Sequence, residues 1–178
     1  MAVHVALLRG INLGSRNRIP MARLREVLAE AGYEDPVTHL QSGNAVLRSG
    51  DSAAKVAATV EAAIRDEWGF DVPVIVRTKA QLAKVAEADP FAGVADDLAR
   101  YVVMFMSRKP SAKAFAGIDA AKYEPESFEL RGKELYAWLP DGQHDSKLMK
   151  ALGNADKELV GTVRNWRTVT KLLELAAP

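Results

Sequence analysis

Two stretches of this chain carry the same succession of hydrophobic patterns, and that succession limits the folds open to it. In the first, residues 3–8 are a short apolar run of strand length. Met21, Leu24, Leu28 and Ala31 follow at helical spacing, with Pro20 at a position suited to a helix start and Gly32 to its end. Residues 37–40 and 45–47 read as two strands around Ser42 and Gly43, or as one strand bulged at Gly43. Val56, Val60 and Ile64 line another helix, with Asp51 or Ser52 as cap and Gly69 as stop. Residues 72–76 complete the set, and Pro73 marks them as an edge strand.

In the second stretch, residues 101–106 read as a strand and Ser111 as the cap of a helix holding Ala114, Phe115 and Ile118. Residues 128–130 and 135–139 form a hairpin turning near Arg131 and Gly132. Ser146 caps a helix ending near Gly153, and residues 159–163 read as a last strand. Both stretches therefore run β-α-β-β-α-β. The expectation is an α+β fold of two ferredoxin-like halves packed into one protein. The first half covers residues 1–88, residues 89–99 connect, and residues 100–178 form the second half. A C-terminal helix there carries Trp166, Val169, Leu172 and Leu173 on one face. Thr78 to Gln81 has the capping-box pattern and opens a short helix through Leu82 and Val85, broken at Asp89–Pro90.

Composition narrows the chemistry. With 178 residues and 48% apolar content the chain can bury a core without a staple. Zero cysteines remove disulfides, thiolate nucleophiles and the commonest structural zinc sites. The longest strongly apolar run, at residues 101–106, is far below the roughly 20 residues of a membrane-spanning helix. The start of the chain lacks a signal-peptide pattern, so a soluble, cytoplasmic protein with no membrane partner is expected. A net charge of +1 argues against strong non-specific nucleic-acid binding. The charge is uneven, however. Residues 1–25 hold Arg9, Arg16, Arg18, Arg23 and Arg25 and no acid, whereas residues 51–100 carry a net −3.

Several blocks resemble a known bacterial family. Residues 7–14 (Leu-Leu-Arg-Gly-Ile-Asn-Leu-Gly), with Ile19-Pro20-Met21 and Leu24-Arg25, resemble the opening of the domain of unknown function 1697 family. Residues 40–46, Leu-Gln-Ser-Gly-Asn-Ala-Val, are similar to its second hallmark. Ser146-Lys147-Leu148, Ala151-Leu152-Gly153 and residues 162–169 are similar to its C-terminal signature. Ser15-Arg16 and Val163 depart from its usual residues. The resemblance implies an α+β fold with ferredoxin-like features and implies no reaction.

Three clusters are candidates for a site. Between Arg9 and Arg18, Gly10 and Gly14 would let backbone approach a ligand, Arg9 would supply charge and Asn12 would orient it. This segment fits neither the P-loop nor the dinucleotide-binding pattern. Gln41, Ser42 and Asn44 surround Gly43, and their amides and hydroxyl could read a polar ligand. Arg164 and Asn165 precede Trp166 at a helix start and could share the same site. The three histidines, His4, His39 and His144, have no metal-ligand spacing, so no metal and no cofactor is expected. No catalytic motif is recognisable, which leaves enzymatic activity open and leans against it. The leading expectation is a small polar or anionic ligand at the Arg9/Asn12/Gln41–Asn44 loops. The alternatives are single-stranded nucleic-acid binding by the sheet faces and a protein-interaction module without ligand. Residues 131–138 meet the RNA-recognition strand pattern only at Arg131, Gly132 and Trp138.

Overall fold

The computed structural model describes residues 1–177. Its first four strands are β1 (Ala2–Leu8), β2 (Val37–His39), β3 (Asn44–Ser49) and β4 (Val74–Thr78), with helices α1 (Met21–Glu30) and α2 (Ala53–Trp68) between them. They form one antiparallel sheet in the order β2-β3-β1-β4. The strands β1 and β3 are thus central neighbours, as a ferredoxin-like module requires, and β4 is at an edge. Residues 37–49 make a true hairpin, not one bulged strand.

Helix α3 (Lys79–Ala88) leads to the second set: β5 (Tyr101–Met106), β6 (Ser127–Arg131), β7 (Glu134–Trp138), α4 (Lys147–Asn154), β8 (Gly161–Asn165) and α5 (Trp166–Leu175). Its sheet runs β6-β7-β5-β8, the same order as the first. One expected element is corrected. The Ser111-capped helix does not form, and residues 112–117 are turns followed by a short 3₁₀ helix, Ala120–Tyr123, capped by Asp119. Pro110 and Gly117 leave too few residues between them to repay helix nucleation. The apolar pattern there still reports burial, because Phe115 joins the core beside Leu148 and Leu152.

Local signals otherwise act as read. The Ser52 hydroxyl accepts from Lys55 N–H at 3.2 Å, and the Ser146 hydroxyl accepts from Met149 N–H at 2.9 Å. The capping box is reciprocal: Thr78 N–H donates to Gln81 Oε1 at 2.9 Å, and Gln81 N–H donates to Thr78 Oγ1 at 3.2 Å. Gly69 ends α2 in the left-handed region.

The chain divides into two compact units. One comprises residues 1–84 and residues from Lys171 onward, and the other comprises residues 85–170. These limits differ from the expected break at 88–89, because α3 and α5 each contribute turns to both units. In the first unit α1 and α2 pack on the sheet through Leu24, Leu28, Val56, Val60 and Ile64, against Ala6, Leu8, Leu47 and Val76. In the second, Tyr101 stacks on Trp166 with ring centroids 4.4 Å apart and planes 9° apart.

His4 lies on central strand β1, is 1% exposed, and neither ring nitrogen has a hydrogen-bond partner. An unsatisfied buried polar group costs about 1–3 kcal/mol. His4→Leu, similar in volume and apolar, is therefore expected to raise unfolding free energy by about 1–2 kcal/mol. Urea titration of the two proteins measures it, and a destabilised variant would show that the imidazole is held by something else.

Candidate functional site

The connection between β1 and α1 curls back on itself. Asn12 N–H donates to Asn17 O at 3.0 Å, Arg16 N–H donates to Leu13 O at 3.2 Å, and the Asn17 amide donates to Gly10 O at 3.2 Å. Four residues here take positive φ: Gly10, Asn12, Gly14 and Asn17. Glycine and asparagine tolerate that region, which explains why this stretch uses them.

Asn12 is the clip of the site. Its Oδ1 accepts from Ile19 N–H at 2.9 Å, and its Nδ2 donates to Ile19 O at 3.0 Å and to Gln41 O at 2.7 Å. The last bond joins the β1–α1 connection to the β2–β3 turn, so the sequence blocks around Arg9 and Gln41 are brought together. The asparagine amide is spent on this joint, and the expected ligand-orienting role passes to other groups. Asn44 is likewise internal. It is 0% exposed, and its Nδ2 donates to His39 O at 2.7 Å and to Ser42 Oγ at 3.2 Å.

Gly43 also serves the fold. At φ +86°, its missing Cβ would lie 2.6 Å from Ile11 Cδ1 and 2.8 Å from Leu8 Cβ. Its carbonyl accepts from Leu8 N–H at 2.9 Å. The close approach that demands glycine is to the protein's own core. Gln41 and Ser42 are exposed, as are Arg9, Gly10 and Gly14.

Charge distinguishes the arginines of this unit. Arg23 donates to Glu67 at 2.7 and 2.8 Å and to Glu26 and Glu30 at 3.0 Å, and this holds the Glu67 carboxyl below its ordinary pKa. Arg65 is held by Asp71, and Arg25 donates to Thr38 Oγ1 at 2.6 Å. The exposed guanidinium groups of Arg9, Arg16 and Arg18 have no acidic partner among the described residues.

Arg164 and Asn165 belong to the second unit. Asn165 is an N-cap whose Oδ1 accepts from Thr168 N–H at 2.9 Å. Arg164 is buried, and burial pulls its pKa down to about 10. Its Nη1 donates to Thr162 Oγ1 and to Val163 O, both at 2.8 Å. A matching residue was missed in the sequence. Arg77 on β4 pairs across from Val5, as Arg164 on β8 pairs across from Val103. Each arginine is buried, and each precedes a residue, Thr78 or Asn165, that caps the next helix. The signal was there as Val-Arg-Thr and Val-Arg-Asn at the same place in the two halves.

The sheet faces offer no base-stacking platform on the RNA-like block, because Tyr136 is 2% and Trp138 is 8% exposed. Burial also pushes the Tyr136 hydroxyl up to about 12, and that hydroxyl donates to Val85 O at 3.1 Å. Among the described residues, no group of three or more His, Asp or Glu side chains is placed to hold a metal ion, and no helix is long and apolar enough to cross a membrane. A groove of about 620 Å³ between α1 and α2 is lined by Ala31, Ala58, Thr59 and Ala62 and by none of the expected site residues.

A family model described as a protein of unknown function (DUF1697) matches residues 1–136. Among solved structures, the chain is similar to the conserved bacterial protein SP0830 from Streptococcus pneumoniae. The two share 21% identity and a TM-score of 0.73 over 99% of each chain. That likeness shows the fold. No curated protein matches.

Proposed function

Because the chain belongs to the DUF1697 family, whose description assigns no activity, we propose a function from its own residues. It binds a small anionic ligand, of the phosphate or carboxylate class, on the β1–α1 and β2–β3 loops of the first unit. One observation carries this reading: Arg9, Arg16 and Arg18 are exposed on one short connection and are unclaimed by acids, whereas Arg23 and Arg65 are claimed. Guanidinium forks match carboxylate and phosphate oxygens in pairs.

The neighbourhood supports it. Helix α1 has Pro20 at its N-cap, with no side-chain cap bond and no acid in its first turn. Its opening N–H groups and dipole therefore favour an anion. Gln41, exposed on the turn that Asn12 joins to the arginine-bearing connection, can donate an amide hydrogen bond. Asn12, Asn44 and Gly43 hold the loops in place.

The test is thermal unfolding with inorganic phosphate, sugar phosphates, nucleotides and carboxylates. A ligand at a hundred times its dissociation constant adds about 2.7 kcal/mol. At roughly 2–4 °C per kcal/mol for a chain of this length, the midpoint should rise about 5–10 °C. The triple variant Arg9→Ala/Arg16→Ala/Arg18→Ala should fold normally, since these side chains make no hydrogen bond or ion pair among the described residues, and should lose the shift. High salt should shrink the wild-type shift, because exposed charges are screened. An unchanged shift in the triple variant, or no shift from any compound, would remove this function.

A further inference from the structure

We infer that the same loops dock the protein onto an anionic lipid surface, with Leu13 and Leu40 entering the headgroup layer and Arg9, Arg16 and Arg18 meeting lipid phosphates. The inference rests on the anion-binding reading above and names the source of the anion. It starts from two leucines. Leu13 is 69% exposed and Leu40 is 55% exposed. They are chain neighbours of Asn12 and Gln41, which the 2.7 Å bond from Asn12 Nδ2 to Gln41 O joins, so they sit on adjoining loops.

Leu40 is held against its preference. Its φ is +60°, and the other non-glycine residues with positive φ among those described are asparagine or aspartate, namely Asn12, Asn17 and Asp35. A leucine in this region is strained by roughly 1–2 kcal/mol. Strain of this kind concentrates where function demands it. Glycine or asparagine would relax the turn, and Leu40 gains no burial in exchange. Its apolar side chain must therefore matter in a state where something covers it.

The surroundings decide what covers it. Residues 1–25 and 36–50 contain no acid, the exposed Glu34 and Asp35 falling between them, and Arg9, Arg16 and Arg18 share the Leu13 connection and have no acidic partner among the described residues. Asp71, two residues before the Pro73 carbonyl that accepts from Arg9 N–H, is held by Arg65. Apolar anchors combined with a basic cluster are the two signals that peripheral membrane attachment needs, since one alone is weak. A single-stranded nucleic acid would call for aromatic stacking groups, and residues 1–32 and 36–50 contain no Phe, Tyr or Trp. Protein hot spots favour Trp, Tyr and Arg and under-use Leu, the apolar residue of this surface. Hydrocarbon accepts leucine readily.

The experiment is flotation of the full chain with vesicles of phosphatidylglycerol and phosphatidylcholine in equal parts, and with phosphatidylcholine alone, at low and high salt. Binding of inorganic phosphate is measured in parallel. The variants are Leu13→Ser/Leu40→Asn, where asparagine suits the positive φ, and the triple arginine variant. The expected result is binding to phosphatidylglycerol vesicles only, weakened at high salt. The leucine variant should lose at least about tenfold in vesicle affinity and keep its phosphate affinity and its fold. The arginine variant should lose both.

Phosphate binding without vesicle binding would overturn the lipid inference and leave the anion reading standing. Absence of both would overturn both. Vesicle binding that ignores the leucines would also overturn the insertion. Leucine-dependent self-association, or leucine-dependent binding of poly-glutamate or oligothymidylate in place of vesicles, would assign the surface to a second copy, an acidic protein or a nucleic acid, and would overturn it too.

Discussion

Gly43→Ala is expected to cost the protein about 2–5 kcal/mol of stability. Two independent penalties add. The residue sits at φ +86°, where an L side chain costs roughly 1–2 kcal/mol. Its Cβ would also press on Ile11 Cδ1 at 2.6 Å and Leu8 Cβ at 2.8 Å. Ile11 is 3% exposed and Leu8 0%, so neither has space to retreat into. Leu8 Cβ is fixed to a central strand and moves only with it, and overpacking of this type costs about 1–3 kcal/mol. Urea denaturation should show a lower midpoint with an unchanged slope. Wild-type stability in this variant would mean that the β2–β3 turn lies farther from β1 than described.

Asn12→Ala should cost a similar amount, about 3 kcal/mol. The change deletes three hydrogen bonds, each worth about 1 kcal/mol, and leaves the N–H and C=O of Ile19, a residue only 1% exposed, without partners. It also puts alanine at φ +53°. Asn12→Gly separates the terms: it removes the bonds but suits the backbone, and should be about 1 kcal/mol less damaging. Asn12→Asp keeps the bond from Ile19 N–H but turns a carboxylate toward the carbonyls of Ile19 and Gln41, so it should be at least as harmful as alanine. If binding is also measured, all three variants should weaken it through loop disorder even though Asn12 need not touch the ligand. Equal stability of all four proteins in urea would show that the joint is not made in solution.

Much of the architecture was legible because it depends on local chemistry. Pro73 announced an edge strand, Thr78 and Gln81 a capping box, and Asn165 a cap, and each does that work. The missing helix near Phe115 shows the limit. Apolar spacing reports which side chains are buried, and Phe115 is, but a segment cut short by Pro110 and Gly117 buries them from turns. The site was legible as a set of residues and not as a set of roles. Asn12 and Asn44 are residue types that could face a ligand or backbone. Only the arrival of Ile19, Gln41 and His39 carbonyls beside them settles where their amides go. Leu13 and Leu40 stand in the family-like blocks, and Leu40 reads as the end of a strand that closes at His39; their exposure and the positive φ of Leu40 are tertiary facts that a leucine in a short motif does not announce.

The first unit is discontinuous in sequence. Its sheet and two packed helices come from residues 1–84, whereas Leu172 and Ala176, 1% and 0% exposed, belong to the stretch from Lys171 onward. A ribosome working at about 5–20 residues per second spends roughly 4 to 17 s on residues 85–170 before it reaches that stretch. Throughout that interval the nascent first unit exists without its last helical turns. The surface they will cover stays open for that time, and completion of the first unit waits on residues added after the second.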